Sequence, residues 1–238
     1  MSSAINVLKQ AIPTVSVGIL SADLMNLQRE IELLENEGVS LVHFDVMDGC
    51  FCPMATVGPP FIKGVRTSML KDVHLMIENP IRKLADYVAA GADILTVHLE
   101  SCPRHIHRVF QELENMPNAN DPSRGLVRGI AINPGTPVEA IEPVLDMVEM
   151  VTLLAINPGW SGQRFIEATK DRLHKLKRIV EEKKRNVLIC IDGGVTKDNI
   201  AEVAKLPVDV VVTGSAVFDG QDPARNTRFI FNMLRTSR

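Results

Sequence analysis

Two histidines and two aspartates lie inside or at the ends of otherwise apolar runs: His43 and Asp45 in LVHFDVMDG, His74 in DVHLMI and Asp192 in LICIDGG. A buried imidazole or carboxylate is unfavourable unless it is paired, hydrogen-bonded or bound to a metal, so these four need an explanation that their apolar neighbours do not. His43 and Asp45 are two residues apart, which puts both on one face of a strand. Brought together, two imidazoles and two carboxylates form a mixed N and O ligand set suited to one divalent ion, Zn²⁺, Fe²⁺, Mn²⁺ or Co²⁺. His98, in VHLE at the end of the fourth run, is a fifth candidate by position, as well suited to supporting a ligand or the structure as to being a ligand. His105, His107 and His174 fall on expected helices, where surface or packing roles are the expectation.

Glycine supplies a second group. Gly159, Ser161 and Gly162 fall in NPGWSGQ after the sixth apolar run, Gly193 and Gly194 follow the seventh, and Gly214 and Ser215 the eighth. Backbone N–H groups exposed in such loops, close to a helix start, make an anion-binding nest, and consecutive loops of this kind point to a bound phosphate. Asn133 to Thr136 reads as a tight turn only.

The elements that must position these residues follow a regular count. Eight short apolar, β-branched runs occur, at 15–20, 41–47, 72–77, 93–98, 127–133, 151–156, 187–192 and 209–213. Several are apolar at nearly every position, as strands covered on both faces are. Between them lie amphipathic stretches. Leu24, Leu27, Ile31 and Leu34 share one stripe, with Asp23 as N-cap and Gly38 as stop. Ile106, Val109, Phe110 and Leu113 repeat the pattern, as do Leu173, Leu176, Ile179 and Val180 before a charged, solvated end at 181–185. A final helix is expected over 223–234, and 117–125 reads as a surface insertion. Eight strand-helix units at about 30 residues each predict a single (β/α)₈ barrel domain over residues 1–238, with its chemistry at the C-terminal strand ends.

Composition narrows the partners. Twenty-six Lys and Arg against 29 Asp and Glu give a net charge of −3, and aromatics are 4%, so neither a basic field nor a stacking surface for nucleic acid is expected. No run of 18 apolar residues occurs, residues 1–13 lack the build of a secretory leader, and the four cysteines show no framework spacing; a cytoplasmic protein with reduced thiols and no membrane partner is the expectation.

At these residues the sequence resembles the ribulose-phosphate 3-epimerase family. The likeness runs in order from GILSADL (Gly18 to Leu24) through HFDVMDGCFCPMATVGPPFI and VHLMI to INPGWSGQRFI, IDGGV and TGSAVF, and HFDVMDG and NPGWSGQ are its most specific blocks. The resemblance implies a phosphate-binding barrel, a divalent metal on His43, Asp45, His74 and Asp192, Asp45 and Asp192 as paired acid and base, and Met47 and Met76 capping the reacting carbons. It allows a homo-oligomer. Inverting the carbon beside a ketone removes a weakly acidic C–H proton and returns one to the opposite face, so two proton-transfer groups are needed. A cation at the C2 and C3 oxygens would stabilise the cis-enediolate between those two transfers.

Four departures bear on the substrate. Gly18 stands where the family usually has Ser, Leu154 where it often has Met, Trp160-Ser161-Gly162 where an aromatic-Gly-Gly is usual, and Cys50-Phe51-Cys52-Pro53-Met54 where His-Phe-Val-Pro-Asn is usual. The expected reaction is therefore C3 epimerisation of a ketose phosphate, D-ribulose 5-phosphate to D-xylulose 5-phosphate first, with allulose 6-phosphate or a tetrulose phosphate as alternatives. A phosphate-binding aldolase or decarboxylase would place a Lys at a strand end, whereas Lys71 opens the third run; an inactive sugar-phosphate sensor would have no reason to keep all four ligand residues.

Overall fold

The computed structural model describes residues 3–237. Eight parallel strands, β1 (Thr14–Gly18), β2 (Leu41–Met47), β3 (Leu70–Met76), β4 (Ile94–His98), β5 (Val127–Ile132), β6 (Met150–Leu154), β7 (Leu188–Asp192) and β8 (Val210–Thr213), pair in sequence order. β8 returns to β1, with Val15 opposite Val211, and the sheet closes into a (β/α)₈ barrel with no free edge.

The helices are α1 (Ala4–Ala11), α2 (Leu27–Asn36), α3 (Pro59–Gly64), α4 (Leu84–Ala89), α5 (Ile106–Glu114), α6 (Thr169–Glu182), α7 (Ile200–Val203) and α8 (Pro223–Thr236). The apolar stripes of α5 and α6 are buried at every expected position. Leu24 departs from the expected stripe. Asp23 does act as a cap, accepting from Met25 N at 3.0 Å, but it caps a 3₁₀ turn that leaves Leu24 45% exposed, and the α-helix starts only at Leu27. Gly38 ends α2 at φ +77°, a conformation that costs glycine little. Between β5 and β6 the crossover is a 3₁₀ helix, Val138–Met147; Pro143 within it has no N–H to give. The stretch 117–125 is more than an insertion on the surface: Asn118 is fully buried, and its side chain donates to Asp93 Oδ1 and Gly125 O, both at 3.0 Å.

Strand alternation divides the interior. Outward residues such as Val42, Phe44, Val73 and Leu75 pack under the helices in the main core. Inward residues at the strand starts, Leu41, Leu70, Ile94, Val127, Met150, Leu188 and Val210, form a separate apolar layer sealed from below by Ala4 and Leu8 of α1. In β2 and β3 the next inward positions turn polar, and the register between these two strands arranges them. His43 lies opposite Asp72, Asp45 opposite His74, and Met47 opposite Met76. Since one residue of slip would turn every side chain to the other face, pairing and site are fixed together.

Candidate active site

The C-terminal ends of the strands surround a cavity of about 760 Å³, lined by residues of β1, β2, β3, β6, β7 and β8 and the loops after them. Asp45 and Asp192 line it, and His43 and His74 converge on them from behind the lining, each of the four offering one ligand atom within 4.8 Å of the others. His43 Nε2 is 3.2 Å from Asp45 Oδ1 and 3.7 Å from Asp192 Oδ2; His74 Nδ1 is 3.4 Å and 3.1 Å from the same two oxygens. Four ligands at zinc-like bond lengths of about 2.0–2.1 Å in a tetrahedron stand about 3.3 Å apart, and the four histidine–carboxylate separations bracket that value. The donor set could hold a divalent metal.

The surroundings of the two imidazoles differ. His43 Nδ1 lies 2.8 Å from Asp72 Oδ2, which also accepts the Ser16 hydroxyl at 2.8 Å. Burial opposes charge on His43, but Asp72 and Asp45 outweigh it and raise the imidazole well above its ordinary pKa. His74 Nε2 lies 2.9 Å from Nε2 of His98, and the two rings stack with centroids 5.0 Å apart. Burial likewise disfavours charge on His74, yet Asp192 and Asp45 bring its pKa up to about 9. Burial acting on Asp45 would raise its carboxyl; His43 and then His74 reverse this and hold it well below the usual carboxylate range. His98 itself is pulled by burial down to about 4, against a partial opposing pull from Glu100, and is neutral near pH 7.

The loops are braced by their own side chains. Thr56 donates to Asp45 O at 2.6 Å and accepts from Met47 N at 2.9 Å, folding the loop after β2 back onto its strand. Asp48 accepts from Cys50 N and Phe51 N, both at 2.9 Å, and from Glu78 N at 2.8 Å, tying the loops after β2 and β3 together. In the loop after β6, Gln163 Nε2 donates to Asn157 O at 2.5 Å and Trp160 O at 3.0 Å. Asn199 donates to Gly194 O and accepts from Thr196 N, closing the turn after β7.

Gly159, Ser161, Gly162, Gly193, Gly194, Gly214 and Ser215 all line the cavity, as do Met47 and Met76. Two of these glycines are required by close contact with backbone. A Cβ on Gly194, at φ +69°, would come within 2.8 Å of the Phe165 backbone, and one on Gly214 within 2.4 Å of Gly18 O. Among the described residues no protein acceptor takes up the backbone N–H of Gly194 or Ser215. Lys71 stays at the base of β3 with Nζ donating to Ile62 O at 2.7 Å, and His105, His107 and His174 are exposed outside the cavity.

Sequence reasoning brought the four clustered groups and the glycine loops to one place but missed what supports them. Asp72 points inward from β3 on the same face as His74, and its pairing with His43 was legible only through the β2–β3 register. Gln163, Asn199 and Thr56 act through main-chain atoms, for which a single sequence carries no spacing signal.

The chain matches the model of the Ribulose-phosphate 3 epimerase family over residues 14–218. It belongs to that family. The ribulose-phosphate 3-epimerase of Bacillus subtilis is 42% identical over 211 residues, 87% of this chain and 93% of that protein. Its namesake from Rhodobacter capsulatus is 44% identical over 211 residues, 87% and 86% of the two chains. Among solved structures, 3-keto-L-gulonate-6-phosphate decarboxylase from Vibrio cholerae superposes with TM-score 0.65 at 13% identity, covering 95% of this chain and 99% of its own. 3-Hexulose-6-phosphate synthase from Salmonella typhimurium gives 0.62 at 18% identity, covering 94% and 100%. Those two likenesses concern the barrel. No helix among the described residues is long and apolar enough to cross a membrane.

Proposed function

We propose that the protein inverts C3 of a ketose phosphate, with D-ribulose 5-phosphate and D-xylulose 5-phosphate as the preferred pair. The observation that carries this reading is the cluster of His43, Asp45, His74 and Asp192, whose two carboxylates line the same cavity that the glycine turns border. Family membership and the names of the relatives support it.

The phosphate binds at the turns after β7 and β8, where the N–H groups of Gly194 and Ser215 are left for its oxygens. The sugar then extends across the cavity toward β2. Asp45 and Asp192 come from strands three places apart around the barrel, so one carboxylate takes the C3 proton and the other returns one from the opposite side; in the reverse direction they exchange duties. His43, Asp45, His74 and Asp192 would hold one divalent ion, Zn²⁺, Fe²⁺, Mn²⁺ or Co²⁺, which when bound supplies positive charge against the negative charge that develops on the substrate oxygens. Met47, Met76 and Leu154 form an apolar wall that keeps water from the reacting carbon. At Gly18 a Cβ would meet Gly214 only at 3.5 Å, so a side chain would fit and the departure removes a hydroxyl rather than relieving a clash.

Protein supplied with Zn²⁺, Mn²⁺ or Co²⁺ and incubated with ribulose 5-phosphate in D₂O is expected to exchange the C3 proton and form xylulose 5-phosphate, followed by NMR. Exchange at C3 of allulose 6-phosphate or a tetrulose phosphate, with none in the pentulose, would move the assignment to that substrate. No exchange in any ketose phosphate would overturn the reaction.

A further inference from the structure

On the side facing away from the cluster, His74 meets no carboxylate as His43 does. Its Nε2 meets Nε2 of His98 at 2.9 Å, and the far nitrogen of His98, Nδ1, lies 3.1 Å from Glu100 Oε2. The other oxygen of Glu100 accepts the Asn133 N–H at 2.7 Å and the Thr136 hydroxyl. That turn is clamped in turn by Arg172, which donates to Asn133 O at 2.8 Å and Thr136 O at 2.9 Å. His98 is completely buried, and the Phe51 ring covers it with centroids 4.8 Å apart.

The proton order along this chain follows from which groups can only accept. Glu100 takes donors on Oε1, and an ionised carboxylate accepts on Oε2 as well, so His98 carries its proton on Nδ1. With Nδ1 donating to Glu100, His98 turns Nε2 toward His74 as the acceptor. Two ring nitrogens 2.9 Å apart share one proton, which must therefore sit on His74 Nε2. Nδ1, the atom that faces Asp45 and Asp192, is then the nitrogen left to bind an ion, which would displace the proton it otherwise shares with those carboxylates. At His43 the order is reversed, because Nδ1 donates to Asp72 Oδ2 and Nε2 is the nitrogen turned to the cluster.

We infer that His98 and Glu100 are positioning residues whose hydrogen-bond chain fixes His74 as a metal ligand through Nδ1, opposite to the Nε2 presented by His43. The inference rests on the metal reading of the four-residue cluster. Partners beyond the ligands commonly govern 10–100-fold in metal affinity, and here one such partner is an imidazole relaying to a carboxylate two residues on. Glu100 thereby couples the cluster to the turn after β5, which contributes no ligand.

The test measures Zn²⁺ affinity by competition with a chromophoric chelator on the full-length protein, together with long-range ¹H–¹⁵N spectra of the zinc-loaded form. Glu100→Gln cannot accept on both sides of the side chain, and is expected to weaken Zn²⁺ binding 10–100-fold. His98→Leu should do the same, whereas His98→Gln, able to accept from His74 and donate to Glu100, should stay within about threefold of the parent. The parent spectra should show zinc on Nδ1 of His74 and on Nε2 of His43. If His98→Leu proves unfolded, the Glu100→Gln affinity and the parent spectra still decide the matter. Unchanged affinity in Glu100→Gln, or zinc on Nε2 of His74, would overturn the relay while leaving the metal site standing. Failure of the parent to bind Zn²⁺ would instead remove the site reading, and the relay with it.

Discussion

The two ends of the barrel interior are built by the same strands with the same alternation, yet they solve opposite problems. At the bottom, Leu41, Leu70, Ile94, Val127, Met150, Leu188 and Val210 meet Ala4 and Leu8 of α1, and these seven inward positions are satisfied by contact alone. At the top, His43, His74, His98 and Asp192 are nearly as deeply buried, but each depends on a named partner. Apolar burial adds up over many interchangeable contacts, whereas a buried polar group is stabilising only while its partner is present. The bottom end therefore adds stability through contact, and the top end concentrates the chemistry.

Substitutions at the top should cost activity far more than stability. Asp192→Asn is expected to reduce kcat at least about 10³-fold and weaken metal binding while the barrel stays folded, checked by steady-state kinetics beside circular dichroism. Chelation should abolish turnover, and one equivalent of a divalent ion should restore it; retained activity after exhaustive chelation would break the comparison at its upper end. At the bottom, Leu8→Ala should leave kcat unchanged and lower unfolding stability by about 2–4 kcal/mol in urea titration, since Leu8 is fully buried in the lower layer.

The smallest effect concerns acid. Burial would raise the Glu100 carboxyl, but the donors His98, Thr136 and Asn133 outweigh it and bring its pKa down to about 2. A carboxylate depressed on folding contributes stability that is complete above its unfolded pKa near 4.3 and is lost as pH falls toward 2. Between pH 6 and pH 3 the parent should therefore lose about 1–2 kcal/mol more than Glu100→Gln, after allowance for partial exposure. Equal losses would show that the chain stores no such energy.

The upper end is also the more legible in sequence. A charged or imidazole residue in an apolar run is conspicuous, so His43, Asp45, His74 and Asp192 stand out within their runs, although long stretches of chain separate the three segments that carry them. The barrel itself is readable because buried parallel strands are continuous apolar runs; β2 is bounded to the residue, and β6 and β7 to within two. What escapes is relational. The eight residues of α1 are too few for periodicity to announce a helix, and its value lies in the barrel floor it covers. Leu24 is misplaced because a cap fixes where the backbone turns, not whether the first turn is α or 3₁₀. The stretch 117–125 looks like a surface insertion because its polar residues face Asp93, a partner distant in sequence. His98 and Glu100 are two residues apart, but nothing in VHLE tells that one touches His74 and the other the turn after β5.

The most direct test of the central claim is anomalous diffraction from crystals grown with one equivalent of Zn²⁺, collected on both sides of the zinc edge. The account predicts a single strong peak enclosed by His43 Nε2, His74 Nδ1 and the carboxylates of Asp45 and Asp192. A peak elsewhere, or none at this cluster while the protein turns over substrate, would contradict it.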